Sequence, residues 1–430
     1  MKHESLHNQT IRELIQWLKT LGIAVLIVIG ISTIIWFIPQ PYHTRGFSNI
    51  TDLQKYGGTI DEFIKMDNTN YLYPSYELYY QEHYAPSIAR ALKDKLTWPL
   101  YALHLKRPPL FSASFFKTLL EEVTTYRKIK GWQGDFIQKI ETKESSKLVV
   151  FGPVQGAYHG LVRYLEQLKV FGIIDENLVV QRPDYYLIFL GNVVNRSPYT
   201  LEIFSIVLQL LKKNPENVIY LKGTNEYADY WKQHTLHREL ELRCNNLSTE
   251  VVPLAHEVDE FFNTLPITLY CTMPFIDDKK LNYFKCAAFI ENDRLLSLID
   301  APRYATFLKQ RSKERLSAFD LTNGSGNDPE AENIISRALV RDIRKRDSYE
   351  IMDGLRLLPP TKGVPTWCIM STASEAYQLA FKFFYDAFTI ILPGKKLSDW
   401  TITLYNRNIM DKNNKTFTPH VFKLFDVTQN

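Results

Sequence analysis

Three stretches of the chain share one texture. "KLVVF" (Lys147 to Phe151), "YYLIFL" (Tyr185 to Leu190) and "NVIYL" (Asn217 to Leu221) are short apolar runs rich in β-branched and aromatic residues. That is the pattern of strands buried on both faces. Each run ends in a glycine-bearing loop. After the first two, in "YHGLVRYLEQLKVFG" and "YTLEIFSIVLQLLKKN", apolar residues recur at helical spacing. Strand, loop and helix in repetition predict an α/β layered core, with the loops at the carboxyl ends of the strands as the natural place for a site. A fourth short strand, "ITLYC", runs into "TMPF", and "TWCIM", "FTIILP" and "WTITLY" return the end of the chain to strand texture.

On either side of this core the pattern changes. Residues 1–20 read as an N-terminal tail. Leu21 to Ile38, "LGIAVLIVIGISTIIWFI", carries no charge and approaches the ~20 apolar residues that span a bilayer as a helix. It predicts a single-pass membrane anchor, and Lys2, Arg12 and Lys19 ahead of it favour a cytoplasmic N-terminus. The competing reading is a signal peptide cleaved at Gly30-Ile31-Ser32, against which the run is longer than a signal's apolar core. Residues 39–146 read as a mostly helical extension whose clearest amphipathic segment is Ser114 to Trp132. Residues 147–430 form the main domain, interrupted by an expected helical insertion at about 277–346 that holds the loop "TNGSGNDPE" and the basic stretches "KQRSKER" and "RDIRKR". Those stretches read as solvated helix faces.

With 45% hydrophobic residues the chain can bury a large core. A net charge of +4 from 51 basic and 47 acidic residues gives no field for nucleic acid. The tyrosine-rich stretch Asn70 to Tyr84 lacks the basic interleaving of a base-stacking platform and reads as packing. Cys244, Cys271, Cys286 and Cys368 have no metal-binding or disulfide spacing and read as free thiols.

The loops carry an ordered set of motifs: "GPVQG", "GNVVNR", "GTNE", "FNTLP" and "CTMP". Order and spacing over roughly half the chain resemble the PPP-type serine/threonine phosphatases, the calcineurin-like metallophosphoesterases, whose signatures are GDxHG, GDxVDRG, GNHE, F-x-x-LP and C-x-HGG. The resemblance implies a layered β-sandwich flanked by helices. It also implies a pair of divalent metals, such as manganese, that clamp a phosphate and activate water and need carboxylates and imidazoles to hold them.

At the positions the resemblance assigns to ligands, this sequence has Pro153 and Gln155 in the first loop, Asn192 in the second, Thr224 and Asn225 in the third, Met273 in the fourth, and Ser371 and Thr372 near the end. The acid relay becomes Asn225 and Asn195, amides with no useful pKa. Arg196, at the position of a phosphate-binding arginine, survives with Glu226 and the glycines Gly152, Gly156, Gly191 and Gly223. Arg196 either still pairs with a phosphate or now holds Glu226.

The expectation is therefore a pseudophosphatase with no catalytic residue, metal or cofactor, anchored in a membrane and acting as a scaffold for a protein partner. The helical extension resembles that of bacterial effector phosphatases. One alternative is an active phosphatase that recruits two metals through other residues, such as His159 and Glu226. Another is a regulatory domain that binds a phosphorylated ligand through Arg196. His159 reads as a surface or core histidine, and His234 and His237 lack the glutamate of a zinc-binding helix.

Overall fold

The computed structural model describes residues 14–24, 30, 47–57, 113–134, 136–195, 199–243, 248–266, 268–273, 282–287, 316–317, 336–342, 354–361, 364–371, 385–395, 399–409, 411 and 416–424. Seven α-helices are named in chain order: α1 (Ile50–Gly57), α2 (Ala113–Ile129), α3 (Tyr158–Val170), α4 (Thr200–Lys213), α5 (Ala228–Trp231), α6 (Thr235–Arg243) and α7 (Ser248–Phe262). The strands are β1 (Phe136–Glu141), β2 (Lys147–Phe151), β3 (Tyr185–Phe189), β4 (Val218–Tyr220), β5 (Thr268–Met273), β6 (Asn282–Ala287), β7 (Leu316–Ser317), β8 (Ser336–Asp342), β9 (Leu355–Thr361), β10 (Val364–Ile369), β11 (Tyr385–Leu392), β12 (Thr401–Asn408) and β13 (Thr418–Lys423).

The strands form two sheets, one in the order β7-β1-β5-β6-β8-β10-β9 and one in the order β13-β12-β11-β2-β3-β4. In the second, β2, β3 and β4 run parallel, with Phe151 beside Phe189 and Phe189 beside Tyr220. Their side chains alternate between two cores, as the period of a strand requires. Leu148, Val150, Tyr186, Ile188 and Ile219 face Leu269, Cys271, Trp367 and Ile369 of the other sheet. Val149, Phe151, Leu187, Phe189, Val218 and Tyr220 face the helices. Burial on both faces is the reason these strands read as unbroken apolar runs, and each such side chain contributes about 1.5–3 kcal/mol. Trp367 and Trp400 close the inter-sheet core, their indole N–H groups donating to the carbonyls of Leu424 and Gly394, both at 2.9 Å.

The amphipathic segment near Ser114 finds its partner surface. Phe116, Leu119, Leu120, Val123, Thr124 and Arg127 of α2 are buried at helical spacing, and Phe116 stacks edge-on to Phe204 of α4. Arg127 is buried against the turn that follows α7: it donates to Thr264 Oγ1 (2.9 Å) and to the Thr264 carbonyl (2.7 Å) and lies 4.3 Å over the Trp132 ring.

Two expectations are revised. β1, inside the extension expected to be mostly helical, pairs in parallel with β5 from Ile137–Thr268 to Glu141–Thr272, so the sheet begins before Lys147. The described residues of the segment expected as a helical insertion are the strands β6, β7 and β8, with β6 and β8 paired to each other and to β5 and β10. Backbone partners supplied by distant strands override the local charge pattern that suggested helices. Among the described residues, no helix is long and apolar enough to cross a membrane. Of the expected anchor, residues 21–24 and 30 are described, all helical, and the remainder lies outside the described residues, as does Asn70 to Tyr84.

Candidate functional site

The first three motif loops follow β2, β3 and β4 and meet at the carboxyl ends of those strands. Contact between them is by backbone, and glycine makes it possible. A Cβ on Gly152 would stand 2.4 Å from the Ile369 carbonyl oxygen, and one on Gly191, whose φ is +96°, would stand 2.6 Å from the Gly223 nitrogen. The amides of Gln155 and Gly156 donate to the carbonyls of Asn192 (3.0 Å) and Val193 (2.9 Å), joining the first loop to the second. Gln155, Asn192 and Asn195 have φ of 49°, 53° and 71°, a left-handed conformation that asparagine tolerates better than most residues.

Glu226 is the hub. It is 1% exposed. Oε2 accepts from the amides of Asn192 (2.9 Å) and Gly223 (2.8 Å). Oε1 accepts from the Val193 amide (2.9 Å) and the Tyr220 hydroxyl (2.7 Å). Four donors fill the four lone-pair directions of a carboxylate. Burial pushes the Glu226 carboxyl up from its usual range, opposed by the Tyr220 hydroxyl and the three amides. Burial, and then the Glu226 charge, push the Tyr220 hydroxyl well above its ordinary value.

The amide side chains bind backbone groups. Asn192 Oδ1 accepts from the Asn225 amide (2.9 Å), and Asn225 Nδ2 donates to the Val194 carbonyl (2.8 Å). Asn195 Oδ1 accepts from the Leu236 amide (2.8 Å) at the start of α6. Glu239 of α6 in turn accepts from the amides of Thr200 (3.0 Å) and Leu201 (2.9 Å) at the start of α4. Ser371 Oγ accepts from the Gly152 amide at 2.6 Å, which brings the end of β10 to the first loop. Pro153, between them, is buried and offers no donor or acceptor side chain.

The structure thus gathers Pro153, Gln155, Asn192, Asn195, Asn225, Glu226 and Ser371 at one end of the sandwich. Arg196 and Thr372, and the side chains of Thr224 and Met273, lie outside the described residues. His159, on α3, packs edge-on against Tyr158 and Tyr199. His234 packs on Tyr230, and His237 lies by Trp231 and Glu241, so the two do not converge. Sequence reasoning missed Glu239; its signal was a lone glutamate on a short helix, which names no partner.

A centre of two divalent ions needs several anionic or imidazole ligands aimed at one volume. The described residues do not fit it. The loops offer neutral amides, a hydroxyl engaged by Gly152 and a carboxylate with every lone pair occupied. Among the described residues, no group of three or more His, Cys, Asp or Glu could hold a metal. An apolar cavity of about 240 Å³ lies elsewhere, between α2 and the end of α4, lined by residues including Val123, Tyr126, Trp132 and Leu211.

Comparison with known proteins finds a serine/threonine phosphatase. The serine/threonine-protein phosphatase C23G10.1 of Caenorhabditis elegans is 27% identical over 163 residues, 37% of this chain and 34% of that protein. The chain therefore spans about a third of that relative's length. No family model matches. Among solved structures, a Saccharomyces cerevisiae serine/threonine phosphatase with similarity to human PP5 matches with 12% identity and a TM-score of 0.42, covering 78% of this chain and 96% of that one. A cold-active protein-tyrosine phosphatase of a Shewanella species matches with 11% identity and a TM-score of 0.35, covering 66% and 81%. Scores of this size add nothing to the sequence match, which supports a likeness to the PPP-type phosphatases and their metallophosphoesterase-like superfamily.

Proposed function

We propose that this chain is a membrane-anchored pseudophosphatase: a PPP-like body that binds a protein partner and holds it at the membrane without hydrolysing phosphate. The observation that carries the reading is the saturation of Glu226, the carboxylate at the centre of the loops, by four donors from the protein itself. The amides at positions 192, 195 and 225 support it, because each is committed to a backbone group. Anchoring rests on the uncharged run Leu21 to Ile38 and on the exposure of Leu14, Trp17, Leu18, Leu21 and Ile23 along residues 14–24.

The test uses the full chain in detergent micelles, loaded with excess manganese and desalted. Far less than two ions per chain, and no hydrolysis of an aryl phosphate above buffer, is the expected result. Two bound ions with turnover would establish the competing reading, an active phosphatase with unusual ligands. Carbonate extraction of membranes tests the anchor separately: the full chain should stay in the pellet and a variant lacking residues 21–38 should leave it.

A further inference from the structure

The seat of α1 shows at which end the N-terminal chain joins the body. α1 packs through Ile50 and Leu53, both buried, with Phe47 buried just before it. The Ile50 amide donates to the Glu176 carbonyl (3.0 Å), and the Thr51 amide and hydroxyl donate to Glu176 Oε1 (2.8 and 2.7 Å). Lys213 Nζ donates to the carbonyls of Ser48 and Asn177, both at 2.7 Å. Glu176 follows the end of α3 and Lys213 is the last residue of α4. From there α1 runs back along α3: Gln54 donates to Glu166, and the Leu53 carbonyl accepts from the Tyr158 hydroxyl at the helix start (2.7 Å). The chain therefore joins the body at the helix ends remote from the motif loops, which open at the start of α4. Fourteen residues of α4 separate the two ends by about 20 Å.

A second observation points the same way. Among the described residues of the body outside strands, the most exposed large apolar side chains are Ile129 (79%) and Val170 (76%), the last residues of α2 and α3. Val179, 38% exposed, sits in the turn that donates from Val180 to Asn214 at the end of α4. All three lie at the end where the anchor enters. Among the described residues, the exposed large apolar side chain of the loop end is Tyr227, whose hydroxyl suits water, and Leu392 and Val421 stand singly on strands. Lysines at the same helix ends need no membrane to explain them: they complement the helix dipoles, and Lys128, Lys130, Lys169 and Lys212 pair with Glu260, Glu216, Glu176 and Glu122.

Resting on the anchored reading, we infer that the end formed by Ile129, Val170 and Val179 lies against the bilayer surface and that the motif loops face away from it. Eight residues lie between Ile38 and Phe47, so whatever its conformation that link holds Phe47 within about 30 Å of the end of the anchor. A partner of the old cleft then arrives from the aqueous side.

The experiment places the full chain in phosphatidylcholine vesicles that carry an energy-transfer acceptor on a lipid headgroup. Donor dye is attached to Val170→Cys or to Tyr227→Cys with Cys244 and Cys286 changed to serine; Cys271 and Cys368 are buried. Lys169→Cys and Asp229→Cys provide a second pair at the same two ends, should a label disturb the first. Transfer from position 170 should exceed that from 227 by about twofold for ends ~20 Å apart along the helix. Equal or greater transfer from 227 in vesicle-bound protein overturns this orientation and leaves the anchor standing. Failure to float with the vesicles overturns both.

Discussion

Replacing Glu226 by glutamine removes half of the hub without changing its size. An amide presents one acceptor oxygen and one NH2 group. In one orientation the amides of Asn192 and Gly223 would face another donor; in the other the Val193 amide would, while the Tyr220 oxygen could accept from the NH2 group but its own proton would lose its acceptor. A buried donor left unsatisfied costs about 1–3 kcal/mol, so the expected loss is about 3 kcal/mol for the pair. At this chain length that corresponds to a fall of about 3 °C in Tm. Thermal unfolding of the full chain in detergent micelles, followed by near-UV circular dichroism, reads it. Glu226→Ala orphans all four donors and should fall further. Excess manganese should rescue neither variant, because the hub is a hydrogen-bond centre. A glutamine variant within about 1 °C of wild type, or one restored by manganese, would refute the reasoning.

Three other outcomes follow from the same geometry. Asn192→Asp restores the family's residue but sets a second carboxylate beside Glu226, since Asn192 Oδ1 and Glu226 Oε2 both lie 2.7 Å from the Cβ position of Gly223; like-charge repulsion should cost about 1–3 kcal/mol at neutral pH without metal, read as a lower Tm. Gly191→Ala should cost about 2–5 kcal/mol, from left-handed strain plus overlap with Gly223, and a soluble variant with unchanged Tm would contradict the close approach of the loops. Hydrogen bonds from Lys169 and Thr51 hold the Glu176 carboxyl down to about 2, so its contribution is present above the unfolded glutamate range and is lost as pH falls through about 2. Acidification, or Glu176→Gln at neutral pH, should therefore speed hydrogen exchange in residues 47–57 before the sheets open, and uniform exchange across the chain would count against it.

Much of this was legible because burial leaves a plain mark. β2, β3 and β4 announce themselves as apolar runs since both of their faces are covered, and the glycines that follow mark loops that no side chain could enter. α2 was legible from the spacing of its buried face. β1 and β6 to β8 were not, because half of a strand's identity is its neighbour, and β5 and β10 lie far away in sequence. At the site the sequence showed only amides, a proline, a methionine and hydroxyls at the positions where the resemblance expects ligands. What replaces them was hidden, since the fate of Asn195 depends on Leu236 and that of Glu226 on three loops that meet only in the folded chain.

The second loop and α6 hold one another. Asn195, on the way into α4, binds the first turn of α6, and Glu239 of α6 binds the first turn of α4. Neither helix start can fray while the other is intact, since each supplies the acceptor that the other's free amides need. The pair should therefore open as one cooperative unit, with the amides of Thr200, Leu201 and Leu236 exchanging together and not one after another. Mechanically this makes the loop end a stiff bracket. A partner that grips α6 also grips the loop of Asn192, and the strain of holding it would spread over both helices.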